Sequence, residues 1–184
     1  MKVIKTWIAV VGLLLAFLVV APAPALAAPA PYCGITWGSL AKSAGALSGG
    51  SVTNVRAGRH ACFDRMVIDV RGHANGYKVQ YVQKVLGPGS GQPVSLRGGA
   101  YLHVVALVGA YNQNTGSATY TPANRKELVN TAGYATFRQV ALAGSYEGYT
   151  HIGVGVRARL PFNVFVLDGP GNTSRIVLDV AHGW

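Results

Sequence analysis

The chain has 184 residues, with 16 Lys and Arg against six Asp and Glu and a formal net charge of +10. Its length fits one domain around a single core, and no stretch after the N-terminal apolar run is long and apolar enough to span a bilayer as a helix. The positive balance favours anionic neighbours such as wall polymers, lipid headgroups or nucleic acid, but the cations are scattered without a basic run, so no specific nucleic-acid element is expected.

Lys2 and Lys5 precede the apolar run Ile8 to Val20, and Ala25-Leu26-Ala27 has the small residues of a cleavage site. This pattern predicts a secretory signal peptide over residues 1–27. Cleavage after Ala27 leaves 157 residues with a net charge of +8, no transmembrane anchor, and ten Arg against four Lys. Residues 28–36 read as a flexible Pro/Ala-containing lead, and 37–184 as one domain. Cys33 and Cys62 are the only cysteines. Outside the cytoplasm an even pair predicts a disulfide.

Trp37 to Ala46 is helix-compatible for one or two turns, ended by Gly49-Gly50. Strand candidates follow at Val52–Arg56, Phe63–Arg71, Tyr77–Leu86 and Tyr101–Val108, the last apolar nearly throughout as a central strand would be. Thr121-Pro122 predicts a short helical turn through Leu128. Phe137–Leu142 is a further strand. From Tyr149 to Leu160 the alternation is strict: Thr150, Ile152, Val154, Val156, Ala158 and Leu160 face one way, and Tyr149, His151, Gly153, Gly155, Arg157 and Arg159 the other. Phe162–Leu167 and Arg175–Val180 complete eight candidates. With no helix–strand alternation, an all-β, two-sheet antiparallel sandwich with one or two short helical turns is expected, a closed barrel being the alternative. Arg65-Met66-Val67-Ile68-Asp69-Val70 recurs as Arg175-Ile176-Val177-Leu178-Asp179-Val180. Arg and Asp four apart on a strand lie roughly 13 Å apart, so they should pair across strands.

Enzyme and cofactor motifs are missing. None of the five histidines has helical metal-ligand spacing. Gly153 to Ala158 fits a dinucleotide pattern on paper but lies within a strand with no helix after it. Gly87 to Gly91 lacks the Lys-Ser/Thr ending of a phosphate loop, and Ser145 lacks the nucleophile-elbow spacing. Asp64 and Glu147 would make a glycosidase pair only if brought within ~5–10 Å. The glycines at 153 and 155 would let a flat ligand approach the strand, with Tyr149, His151, Arg157 and Arg159 around it, unless neighbouring aromatic side chains cover them.

The chain resembles the AMIN-like domain proteins secreted by high-GC Gram-positive bacteria. The similar stretches are Trp37-Gly38-Ser39, Val55 to Arg65, Gly98-Gly99-Ala100, Thr136 to Val140, Ala143 to Gly148, Gly155 to Phe162 and Arg175 to His182. The resemblance implies similarity to the AMIN domain of cell-wall amidases and secretins, a β-sandwich that binds peptidoglycan, and it carries over no catalytic residue. The expectation is a secreted, non-catalytic module that binds peptidoglycan or an anionic wall polymer through Arg56, Arg59, Arg138, Tyr146, Glu147, His151, Arg157 and Arg159. The alternatives are a small wall hydrolase acting through Glu147 with Asp64, and an interaction module presenting its sheet edges to a secreted protein partner.

Overall fold

The computed structural model describes residues 30–184, and the expected signal peptide with its cleavage site lies outside them. Eleven strands follow one another: β1 (Lys42–Ala44), β2 (Ser51–Arg59), β3 (Phe63–Arg71), β4 (Tyr77–Val82), β5 (Val85–Leu86), β6 (Pro93–Val94), β7 (Ala100–Ala106), β8 (Phe137–Tyr146), β9 (Tyr149–Val156), β10 (Phe162–Asp168) and β11 (Thr173–Ala181). They form a five-stranded sheet in the order β1-β4-β7-β9-β8, a four-stranded sheet in the order β10-β11-β3-β2, and the small β5–β6 hairpin. All ladders between these strands are antiparallel.

The two large sheets cover each other as a sandwich. Ile152, Val154 and Val156 of β9 and Leu102 and Val104 of β7 supply one wall of the core, and Met66, Ile68, Ile176 and Leu178 the other. Alternation explains this directly, since every second residue of a half-buried strand shares a face. Two tyrosines bolt the layers together. Tyr77 Oη donates to Val164 O at 2.8 Å, and Tyr81 Oη donates to Leu160 O at 2.9 Å and accepts from Leu160 N at 2.9 Å.

Four local expectations need correction. Trp37 to Ala46 is not helical. Gly38 and Gly45 take positive φ, and Lys42–Ala44 becomes an edge strand on β4, because a hydrogen-bonding sheet edge outweighs weak helix propensity. Thr121 to Leu128 makes no helix either. Leu128 N donates to Val140 O, and Leu142 N donates to Arg125 O, so this loop satisfies its backbone along β8. Tyr77 to Leu86 breaks after Val82, its end forming the separate β5. The alternating strand from Tyr149 ends at Val156, and Arg157 to Arg159 leave the sheet.

The repeated hexapeptides occupy neighbouring strands. β3 and β11 pair so that Val67 opposes Val177, Arg65 opposes Asp179, and Asp69 opposes Arg175. The echo is thus a local two-fold arrangement about the valine pair. Arg65 Nε and Nη2 donate to the two Asp179 oxygens, each at 2.7 Å, as pairing across strands requires. The guanidinium also lies over the rings of Phe63 and Phe165, at 5.2 and 5.7 Å. Asp69 accepts instead from Arg56 Nε at 2.9 Å and Nη2 at 3.1 Å.

The Cys33–Cys62 disulfide ties the N-terminal segment to the turn before β3. Around it Tyr32 N donates to Trp184 O at 3.1 Å, and Trp37 packs edge-on against Phe63 with centroids 5.6 Å apart.

Candidate functional site

The eight residues expected to contact a ligand do not form one site. Tyr146 and Glu147 sit at the tip of the β8–β9 hairpin, where Glu147 and Gly148 both take positive φ, at +49° and +83°. Two consecutive left-handed residues make the tight turn that matches strand twist, and glycine suits the second position. Arg157 and Arg159 follow the far end of β9, so about 30 Å separates them from the hairpin tip.

The face of β9 with the two glycines is closed. Residues 96 and 97 cross it. A Cβ on Gly153 would lie 2.8 Å from Leu96 Cδ1, and one on Gly155 would lie 1.8 Å from the Arg97 carbonyl oxygen. The crossing segment is held by Arg97 N donating to Gln139 Oε1 at 2.7 Å and Gly99 N donating to Val156 O at 2.8 Å. The cover expected as the alternative was an aromatic side chain. The actual cover is a backbone strap, which needs glycine more strictly. Gly155→Ala should therefore cost about 2–3 kcal/mol by urea denaturation, and Gly153→Ala less, because a leucine methyl yields more easily than a carbonyl.

His151 faces His103 of the adjacent strand, Nδ1 to Nε2 at 3.0 Å. Burial lowers the pKa of both rings, and the neighbouring His151 lowers His103 further. With folded pKa values below the unfolded value of about 6.5, the pair's contribution is fully present above that pH and is lost as pH falls through the folded values. A urea midpoint that falls between pH 7.5 and pH 5 should fall less in His103→Gln.

The hydrolase pair is not assembled. Asp64 is fully buried. Its Oδ2 accepts from Thr136 N at 2.6 Å and Phe137 N at 2.9 Å, and its Oδ1 lies 3.1 Å from His182 Nε2. Those contacts place it at the start of β8, whereas Glu147 follows the end of that ten-residue strand. Extended chain of that length spans about 30 Å, far beyond the ~5–10 Å that a glycosidase needs.

Around the Asp64 clasp the structure gathers three of the expected arginines. Arg59 Nη1 lies 3.4 Å from Gly133 O, Arg138 Nη1 donates to Tyr134 O at 3.1 Å, and Arg157 donates to His182 O. Arg97 joins them, bonding Glu127 with its fork and donating to Arg138 O at 3.0 Å. A shallow depression of about 460 Å³ opens here, lined by Arg97, Thr131, Tyr134 and Arg138 among others. Burial and the nearby Asp64 carboxylate raise the Tyr134 phenol pKa, and Arg59 opposes them. Among the described residues, only Arg97 of these four arginines has a carboxylate partner within ion-pair distance. The others spend their donors on backbone carbonyls and keep their charge uncompensated. Arg159 is elsewhere, over the Tyr81 ring at 5.0 Å and bonded to Ser39. Arg97 was missed in the sequence because nothing local shows that its segment crosses β9.

A family model described as the AMIN-like domain matches residues 50–182, well over half of the chain. The chain belongs to the AMIN-like domain family. The AMIN-like segment takes in both echo strands, the Asp64 clasp with His182, Arg97 and Arg138 of the depression, and Arg59 and Arg157 beside the clasp, but not Cys33, Trp37 or Trp184. No curated protein and no solved structure matches the chain. An AMIN-like domain marks a cell-envelope-associated module, and such domains are generally non-catalytic. Among the described residues no helix is long and apolar enough to cross a membrane.

Proposed function

We propose that this protein is a secreted, non-catalytic module that binds a cell-envelope polymer, either peptidoglycan or an anionic wall polymer. The observation that carries the reading is the cluster of Arg59, Arg97 and Arg138 beside Tyr134 with Arg157 at the adjoining His182 carbonyl, three of the four without a carboxylate partner among the described residues. Arginine forks offer planar paired donors to carboxylate or phosphate, and an aromatic ring beside them gives a sugar an apolar surface. The clasp at Asp64 fixes the start of β8 and His182 against β3, which supports pre-positioning of the backbone that carries Arg138. The +8 charge expected after leader removal supports the same reading by drawing a polyanion towards the surface.

Replacing Arg59 and Arg157 together by Gln should lower retention on anionic walls roughly tenfold at low salt. The folded signature in circular dichroism should be unchanged. Equal retention of the folded double variant would remove this end of the sandwich from the contact.

A further inference from the structure

A second basic depression, of about 460 Å³, lies at the opposite end of the four-stranded sheet. Arg56, Arg71 and Arg175 line it together with a single carboxylate, Asp69. We propose that this depression is a binding site for a phosphate group, separate from the arginine end described above.

The argument starts from the broken two-fold symmetry of β3 and β11. Arg65 finds its fork filled by Asp179, but the equivalent partner of Arg175, Asp69, is turned to Arg56. Arg175 Nη2 reaches Asp168 O at 3.1 Å, and its Nε is buried without any hydrogen-bond partner. A buried donor on a guanidinium is costly to leave unmatched, and few such donors persist in folded proteins. Arg71 at the end of β3 is exposed and makes no side-chain hydrogen bond among the described residues. Three guanidinium charges against one carboxylate leave a local excess of two positive charges, which matches a dianion better than a carboxylate. The guanidinium groups come from the adjacent strands β2, β3 and β11 and share one sheet face; Arg56 keeps its bonds to Asp69, and a tetrahedral oxyanion has oxygens enough for Arg71, Arg175 and the remaining Arg56 donor together. Arg71, at the far edge of the depression, lies about 25 Å from Arg59 along β3, and Arg56, at its near edge, about 10 Å from Arg59 along β2, so the Arg71–Arg175 part can be occupied independently of the arginine end.

Phosphate comes either as the free ion, which can carry two charges, or as the singly charged diester of a wall polymer, of which two successive groups would match the excess. Calorimetric titration of the purified protein with inorganic phosphate, with poly(glycerol phosphate) and with acetate distinguishes these sources. Saturable phosphate binding, at least tenfold tighter than acetate, is the expected result. Tighter binding of the polymer names the diester as the source, and tighter binding of the ion names free phosphate. Arg175→Gln and the more exposed Arg71→Gln should each weaken inorganic phosphate binding roughly tenfold, while Lys84→Gln, at an exposed position between β4 and β5, should not change it. The absence of saturable phosphate binding overturns the proposal, as does an affinity unchanged in the folded Arg71→Gln protein. Either failure leaves the wall-binding reading standing, because that reading is tested through Arg59 and Arg157.

Discussion

Asp64→Ala should destabilise the protein by about 3–5 kcal/mol. The carboxylate is fully inaccessible and serves three partners at once: Thr136 N, Phe137 N and His182 Nε2. Removing it strands two backbone donors in the interior, each at a cost of about 1–3 kcal/mol, and leaves the imidazole unmatched. The loss would be a large share of the ~5–15 kcal/mol that holds a domain together. At roughly 2–4 °C per kcal/mol for a domain of this size, the melting point should fall by about 6–20 °C. Asp64→Asn keeps the volume and one acceptor, so its loss should be less than half as large. A cost below about 1 kcal/mol for Asp64→Ala would mean that the two amides reach water instead. The same substitution should loosen the loop that carries Tyr134 and the start of β8 that carries Arg138, so stability and ligand retention should fall together.

Loss of the Cys33–Cys62 bond should cost about 3–4 kcal/mol, the chain-entropy estimate for a loop closed across 29 residues. The bond anchors a segment whose other ties include Tyr32 to Trp184, Trp37 against Phe63, Phe162 N donating to Gly38 O at 2.9 Å, and Arg159 donating to Ser39. Reduction or a Cys33→Ser, Cys62→Ser double variant should lower the urea midpoint and expose Trp37 to fluorescence quenchers. An unchanged midpoint with a freed tryptophan would place the N-terminal segment outside the cooperative unit, which would then begin close to the family boundary at residue 50.

The sandwich was legible because alternation is a local signal. The faces of Phe63–Arg71 and of the strand starting at Tyr149 read correctly from period two alone, and both supply the core where expected. The repeated hexapeptide also read correctly, because an extended strand keeps Arg and Asp too far apart to pair with each other. What did not read were contacts made at long range. The strap over Gly153 and Gly155 comes from residues nearly 60 positions earlier, so an apparently open platform is a packed one. Lys42–Ala44 looked helical because its partner, β4, lies some 35 residues away. Asp64 looked like half of a catalytic pair because its partners at 136, 137 and 182 are invisible to spacing. The arginines divide in the same way. Arg59, Arg138 and Arg157 come together only because the Asp64 clasp draws β8 and the C-terminal residues onto β3. The orphaned Nε of Arg175 follows from a choice by Asp69 between two guanidinium groups, which no sequence pattern records.

The central claim, non-covalent binding of a cell-envelope polymer, is tested most directly by sedimentation with insoluble peptidoglycan. Walls with and without their anionic polymers should be compared, at low and at high salt. The protein should pellet with the walls, more of it with the anionic polymers present, and salt should release that additional fraction, as screening of exposed arginines requires. Protein that stays in the supernatant with both kinds of wall, even at low salt, would contradict the account.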